Sequence, residues 1–162
     1  MADKIKTAGG VVIHGNRILF IKKNGRWDLP KGRLKKRGNR KSTAVREIYE
    51  ETGLKKKHLK LLQALIPTYH HFKQNNKLFV KENFWFLVEY KGSLKAKLRP
   101  ERKEGITKCK WFELDKLMLA LKDSRPMIHY LIGYVLDEPI YKKYLKKHRS
   151  VSYTHLTLPT KA

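Results

Sequence analysis

Residues 46–54 read Arg46-Glu47-Ile48-Tyr49-Glu50-Glu51-Thr52-Gly53-Leu54, and they concentrate acidic side chains in a very basic chain. Positions 4–81 contain four acidic residues, and three of these are Glu47, Glu50 and Glu51. On a helix these are positions i, i+3 and i+4, so the three carboxylates project from one face. Clustered like charges repel, whereas a hard divalent cation such as Mg²⁺ binds clustered carboxylate oxygens together with phosphate and water. The segment therefore predicts a metal site on a helix.

The overall composition indicates one globular domain with a polyanionic partner. The chain has 162 residues, of which 41% are hydrophobic and 10% aromatic, enough to form one ordinary core. The net charge of +24 favours nucleic acid, a polyphosphorylated small molecule or an anionic membrane surface as the partner. A basic surface that is simply solvated is the alternative.

The sequence gives no sign of export or of membrane insertion. No apolar run approaches the roughly 18 residues that span a bilayer, and residues 1–9 lack the apolar core of a signal peptide. Cys109 is the single cysteine, which excludes an internal disulfide and fits a reducing compartment. We therefore expect a cytoplasmic protein without a membrane partner.

The order of strand and helix signals predicts an α+β fold. A polar loop over 31–41 should lead into the acidic helix, with Asn39 as its N-cap and Gly53 just beyond its last turn. Two further helices are expected over 114–122 and 127–136, separated by Pro126. Strands mixed with helices predict a mixed sheet with helices packed on its faces. The expected strands are 11–13, 17–22, 59–66, 77–90 and 106–112, with a short extended piece at 27–29.

The last twelve residues, 151–162, look foreign to the rest of the chain. Residues 151–160 can be encoded by GTC TCT TAT ACA CAT CTG ACG CTG CCG ACG, which resembles a transposase-end sequencing adapter read in frame. We interpret the segment as a translated artefact and assign residues 1–150 to a single domain. The alternative is a natural tail. Independent sequencing reads across Ser150 distinguish the two.

The acidic helix belongs to a longer spaced motif, Gly32-x5-Gly38-x7-Arg46-Glu47-Ile48-x-Glu50-Glu51-x-Gly53-Leu54. This resembles the Nudix box, Gly-x5-Glu-x7-Arg-Glu-U-x-Glu-Glu-x-Gly-U, in which U is a bulky apolar residue. Every fixed position matches except Gly38, which stands where the family has its first Glu. The resemblance extends over roughly residues 5 to 138. Its flanking matches are Ala8-Gly9-Gly10-Val11, Trp27-Asp28-Leu29-Pro30-Lys31 and Trp111-Phe112.

Within the Nudix family, the chain resembles the MutT-like and diadenosine polyphosphate hydrolase-like members. This resemblance implies a fold and an activity. The fold would be a Nudix-type α/β/α sandwich with a central mixed sheet and a loop–helix catalytic motif. The activity would be Mg²⁺-dependent hydrolysis of a diphosphate bond in a nucleoside diphosphate linked to a further moiety, with Mn²⁺ as an acceptable substitute. Alternatives are an RNA 5′-pyrophosphohydrolase of the same fold and a non-catalytic Nudix-like module that binds nucleotide or RNA.

The resemblance also implies roles for individual residues. Glu50 and Glu51 would be primary metal ligands, Glu47 a ligand or the general base, and the carbonyl of Lys31 a further ligand. The base of this family often lies on a later loop, where Glu104 is preferred here over Glu101.

The motif's Arg and Gly residues also have physical roles of their own. Arg46 can pair with a carboxylate and fix its rotamer. Gly32 lets the backbone approach a metal or a phosphate closely, and Gly53 permits a sharp exit from the helix.

A basic loop precedes the helix and is the expected phosphate-binding segment. Its cations would attract a substrate with several phosphates, such as a diadenosine polyphosphate, a diphosphoinositol polyphosphate or a 5′-triphosphate RNA. Arg33, Lys35 and Lys36 are the predicted substrate contacts, together with Tyr69, which could stack a base. Adjacent His70 and His71 would point to opposite faces of a strand and are poor joint ligands of one metal. The loop's cations are Lys31, Arg33, Lys35, Lys36, Arg37, Arg40 and Lys41.

Overall fold

The computed structural model describes residues 2–148. The segment interpreted as an artefact, 151–162, lies outside the described residues, so that interpretation and the domain boundary at 150 stay predictions. Among residues 2–148, no helix has both the length and the apolar character required to cross a bilayer.

Two long parallel strands form the centre of a mixed sheet. β1 (Asp3–His14) pairs with β7 from Asp3↔Phe79 to Ile13↔Glu89, whereas the other strand pairs are antiparallel. The main path runs β3-β2-β1-β7-β5, while β4 pairs with β1, β6 with β7 and β8 with β2. The remaining strands are β2 (Arg17–Lys23), β3 (Arg26–Asp28), β4 (Lys31–Arg33), β5 (Leu59–Ala64), β6 (Thr68–Gln74), β7 (Lys77–Tyr90) and β8 (Ile106–Glu113).

The two faces of the sheet carry separate cores, because side chains alternate along each strand. Val11 and Ile13 of β1 pack into one core, whose far side is built by α2 (Leu117–Leu121), α3 (Pro126–Asp137) and α4 (Pro139–His148). Val12 points the other way, into the core under α1 (Arg40–Thr52). The predicted α/β/α sandwich with a central mixed sheet is therefore confirmed.

Both predicted caps of α1 are present. The Asn39 side chain accepts a hydrogen bond from the Ser42 N–H at 3.1 Å. Gly53 has a left-handed backbone with φ 81°, and its N–H donates to the Tyr49 carbonyl at 2.8 Å. The helix lies close to β1 because Gly10 has no side chain, and a Cβ there would lie 2.7 Å from Ile48 Cδ1.

The structure differs from the predicted elements in several places. β1 begins at Asp3 rather than at position 11, and the start of the expected 31–41 loop is strand β4. The expected helix over 114–122 begins as a 3-10 turn and is α-helical only over α2. Strand β6 and helix α4 are additions. β6 forms a hairpin with β7 through Asn75 and Asn76, which both adopt positive φ, at 52° and 61°.

Candidate active site

A cleft of about 960 Å³ lies where α1 meets β4, and it contains most of the predicted site residues. One side carries the acidic side chains of α1, and the other sides carry cations from β2, β4, β7 and the basic loop. The lining residues include Glu47, Glu50, Glu51, Arg46, Lys31, Gly32, Arg33, Lys35, Lys36, Lys23, Lys81, Phe72, Gln74 and Glu104.

Gly32 is placed directly against the carboxylate of Glu47. A Cβ at position 32 would overlap that side chain, at 1.9 Å from Oε1 and 2.0 Å from Cδ. The backbone of Gly32 is not in the left-handed region, so its missing side chain matters for space and not for backbone freedom. The group that lies close to the Gly32 backbone is therefore the Glu47 side chain, and the close approach of a metal or phosphate to Gly32 stays a prediction.

Glu51 is buried, although it belongs to the same helix face as Glu47 and Glu50. Its side chain accepts a hydrogen bond from the Lys31 N–H at 3.1 Å, which ties α1 to β4. Burial raises the pKa of Glu51 to about 7, against the opposing effect of the Lys23 and Lys31 charges. The predicted ligand thus occupies a position where its charge is only partly compensated by the protein.

Arg46 holds the other two carboxylates together. Its Nη2 lies 3.1 Å from Glu47 Oε2, and its Nε lies 3.7 Å from Glu50 Oε1. Burial raises the pKa of Glu47, and the hydrogen bond from Arg46 opposes that rise. Arg46 therefore pairs with the carboxylates of Glu47 and Glu50, as predicted.

The donor set fits a hard divalent cation, although no assembled metal cluster is found. Among residues 2–148, no three acidic, histidine or cysteine side chains already stand in a ligating arrangement. The cleft nevertheless offers three carboxylates, which are the oxygen ligands that Mg²⁺ prefers. Burial raises the pKa of Glu51 to about 7 despite the Lys23 and Lys31 charges, and a cation at that point would favour the charged carboxylate.

Some of the remaining predicted site residues line the cleft and others do not. Glu104, on a 3-10 turn before β8, lines the cleft, whereas Glu101 is not among its lining residues. Arg33, Lys35 and Lys36 line it as well. Tyr69 does not: it is 53% exposed and its hydroxyl donates to Glu82 Oε2 at 3.2 Å.

Several cleft residues were not predicted, because distant parts of the chain supply them. Lys23 comes from the end of β2, and Lys81, Phe72 and Gln74 come from the β6–β7 hairpin. The Asn75-Asn76 turn was the available signal, since two turn-forming residues between alternating segments are typical of a hairpin. It would have placed Phe72 and Gln74 on one face of a strand, two residues apart.

Cys109 lies beside the site but is not suited to be a nucleophile. Its Sγ donates a hydrogen bond to the Glu51 carbonyl at 3.4 Å. Burial, followed by the nearby Glu51 charge, raises the pKa of its thiol to about 12. Because the thiolate is the reactive form, a thiol that stays protonated is inert at neutral pH.

Solved structures share this fold. The C. elegans Ap4A hydrolase in a binary complex aligns with a TM-score of 0.63 at 17% identity, covering 88% of this chain and 98% of that one. A MutT NUDIX hydrolase from Burkholderia pseudomallei gives 0.54 at 22%, covering 82% and 95%. A bifunctional NMN adenylyltransferase/ADP ribose pyrophosphatase from Francisella tularensis, complexed with AMP and Mn ion, gives 0.58 at 18%, covering 84% and 42%.

The fold and the cleft define an α+β protein whose candidate site is built on a loop–helix motif. The sequence matches the NUDIX domain family over residues 4–131. The chain therefore belongs to the NUDIX domain family. The resemblance drawn from the spaced motif is thereby confirmed.

Proposed function

We propose that the protein is a Mg²⁺-dependent pyrophosphohydrolase that cleaves a diphosphate bond in a nucleoside diphosphate-X or a related polyphosphate. The observation that carries this proposal is the division of one cleft into an acidic side and a basic side. Glu47, Glu50 and Glu51 come from α1, and cations such as Lys31 and Lys81 face the same space. This pairing suits a substrate whose phosphates need both a divalent cation and direct positive charge.

In the proposed reaction, a water oxygen attacks one phosphorus of the diphosphate and the bridging P–O bond breaks. The water proton passes to a carboxylate, for which Glu47 and Glu104 are the candidates in the cleft. Lys31 and the loop cations bind the phosphate oxygens, while Arg46 keeps two carboxylates in place. Mg²⁺, or Mn²⁺ in its place, would supply charge neutralisation and Lewis acidity when held by Glu47, Glu50, Glu51 and the Lys31 carbonyl.

The names of the structural neighbours support this substrate class. They are an Ap4A hydrolase, a MutT NUDIX hydrolase and an ADP ribose pyrophosphatase, and one of them is complexed with a Mn ion. We therefore propose a phosphorylated small molecule as substrate and a divalent metal as cofactor. We also propose a cytoplasmic location, supported by the lone Cys109, and a single domain over residues 1–150.

An RNA 5′-pyrophosphohydrolase is the second candidate, and the net charge of +24 favours it. A non-catalytic module is disfavoured, because all three α1 carboxylates are present and placed in one cleft. A salt titration of RNA binding, run beside a phosphate-release assay, separates the three functions. Salt-sensitive binding without any phosphate release would identify the non-catalytic module.

The proposed function is tested with a panel of substrates in the presence of Mg²⁺. The panel contains ADP-ribose, diadenosine polyphosphates and 5′-triphosphate RNA, and each is assayed with the unmodified protein and with Glu50→Gln. The Glu50 side chain is 48% exposed, so this substitution should leave the fold intact. We expect hydrolysis of at least one phosphoanhydride to fall by about 100-fold in the variant. Equal rates for both proteins on every substrate would exclude the enzyme assignment.

Gly38→Glu, which restores the usual Glu of the motif, is expected to lower the Mg²⁺ concentration for half-maximal rate by up to about tenfold. Outer carboxylates support metal sites, and the present Gly38 supplies none. A Cβ at Gly38 would lie 3.1 Å from the Lys35 carbonyl, so a small loop shift is also introduced. Gly38→Gln is the matched control, because it shifts the loop equally without adding a charge. An unchanged rate and unchanged Mg²⁺ dependence in Gly38→Glu would contradict this expectation.

A further inference from the structure

A second, smaller pocket opens directly beside the cleft. It has a volume of about 280 Å³, just below the roughly 300–1,000 Å³ of typical small-molecule sites, so it suits one group of a ligand. Lys23, Lys31, Phe72 and Lys81 line both spaces, so a ligand held in the cleft can extend into the pocket. The residues that line only the pocket are Asn24, Arg26, Asp28, His70, Arg125 and Met127.

The pocket is strongly positive and largely without internal counter-charge. Its five cations face a single carboxylate, Asp28, which is already engaged: its Oδ2 lies 3.5 Å from Lys31 Nζ, and its Oδ1 accepts from the Leu29 N–H at 2.7 Å. Within residues 2–148, the other four cations form no salt bridge with a carboxylate. These four cations are Lys23, Arg26, Lys81 and Arg125.

Three of these cations, Lys23, Lys81 and Arg125, come from different parts of the chain, and the charges of Lys23 and Arg125 act on Lys81. Burial lowers the pKa of Lys81, and the charges of Lys31, Lys23 and Arg125 lower it further. Burial and the Arg125 charge lower the pKa of His70 in the same way. Like charges that the fold brings together repel unless an anion lies between them. Asp28 and, through Lys23 and Lys31, Glu51 offset only part of this positive charge, so the pocket favours a further anion.

We propose that this pocket binds a further phosphate group of the substrate, beyond the diphosphate that is cleaved in the cleft. The proposal rests on the proposed function and narrows its substrate to a small molecule, as opposed to an RNA, with three or more phosphates or with a phosphorylated leaving group. Arg26 and Arg125 are the residues that belong to the pocket alone and would contact this phosphate. Arginine is well suited to the role, because its guanidinium donates two parallel hydrogen bonds to one phosphate.

The first test measures binding without catalysis. Inorganic tripolyphosphate is titrated into the protein by calorimetry, in EDTA, for the unmodified chain, Arg26→Ala and Arg125→Ala. We expect each variant to bind about tenfold more weakly, as for loss of a charge-assisted hydrogen bond. Lys122→Ala is the matched control: it removes one charge from an exposed residue outside both spaces, and it should bind normally. If all three variants bound tripolyphosphate equally more weakly, the binding would reflect attraction to the positive surface in general, and the proposal would be overturned.

The second test asks whether the bound phosphate belongs to the substrate. With Mg²⁺, Arg125→Ala should raise the KM for a four-phosphate dinucleotide about tenfold, and it should raise the KM for ADP-ribose far less. An unchanged KM, together with weakened tripolyphosphate binding, would assign the pocket to a free anion and overturn the substrate assignment. Weakened binding of 5′-triphosphate RNA alone would overturn it in favour of RNA. If no substrate is hydrolysed at all, the proposed function fails, while the calorimetric result still decides whether the pocket binds phosphate.

Discussion

Glu51→Gln is expected to lower the rate of phosphoanhydride hydrolysis on the order of 10³-fold. Glu51 is the one α1 carboxylate that is buried. The charges of Lys23 and Lys31 stabilise its negative charge only in part, because the effect of burial on its pKa is larger. Such a charge is useful where a divalent cation completes the site. Glutamine keeps the shape and can still accept the hydrogen bond from the Lys31 N–H, so the loss should reflect the missing charge.

The same substitution should stabilise the metal-free protein at neutral and alkaline pH. The pKa of Glu51 is raised from 4.5 to about 7 by burial, so the folded protein holds this proton more tightly than the unfolded chain. The stability that this provides is complete below about pH 4.5 and is lost as pH rises through about 7. Glutamine does not titrate, so in EDTA the melting temperature of the variant should exceed that of the unmodified protein at pH 8, and the difference should shrink towards pH 5.

These two effects of Glu51→Gln distinguish a metal ligand from an ordinary buried carboxylate. Thermal unfolding is measured with EDTA and with excess Mg²⁺, beside the hydrolysis rate. Mg²⁺ should raise the melting temperature of the unmodified protein and much less that of Glu51→Gln. A variant that loses stability in EDTA at pH 8, or that keeps the full rate, would contradict the proposed role of Glu51.

The local features of the site could be predicted from the sequence. Asn39 and Gly53 fix the two ends of α1 through contacts within a few residues, and the spacing of Glu47 and Glu51 fixes their shared helix face. Such features depend on neighbouring residues alone, so a single sequence contains them. The pairing of Arg46 with its neighbouring carboxylates belongs to the same class.

The surroundings of the site could not be predicted in the same way. Glu50 and Glu51 are adjacent in sequence, yet one is exposed and the other is buried, because the difference depends on how closely α1 approaches β4 and β8. Tyr69 lies away from the cleft, whereas Phe72 lines it. Odd and even positions of β6 face opposite sides of the sheet, so the choice between Tyr69 and Phe72 as a cleft residue required knowledge of the strand register. Arg125 lines the second pocket from the N-cap of α3, a helix that packs on the other face of the sheet.

Gly32→Ala is expected to reduce hydrolysis about 100-fold while leaving the fold intact. The new Cβ would occupy the position of the Glu47 carboxylate, so the carboxylate must move. Displacement of a catalytic group by about 1 Å is sufficient for a loss of this size. The backbone of Gly32 is not in the left-handed region, so alanine adds no backbone strain. The free energy of unfolding should fall by the cost of overpacking, roughly 1–3 kcal/mol. The melting temperature should fall with it, without loss of the cooperative transition.

A double-mutant cycle with Glu47→Ala separates this crowding from other effects of the methyl group. Glu47→Ala removes the atoms that the new Cβ would meet, so adding Gly32→Ala to it should cost almost no further stability. The coupling free energy between the two positions should then be about 1–3 kcal/mol. Activity should stay low in the double variant, because the carboxylate is absent rather than displaced. Additive stability losses would instead place the importance of Gly32 in the pairing of β4 with Ala8 of β1, and not in its contact with Glu47.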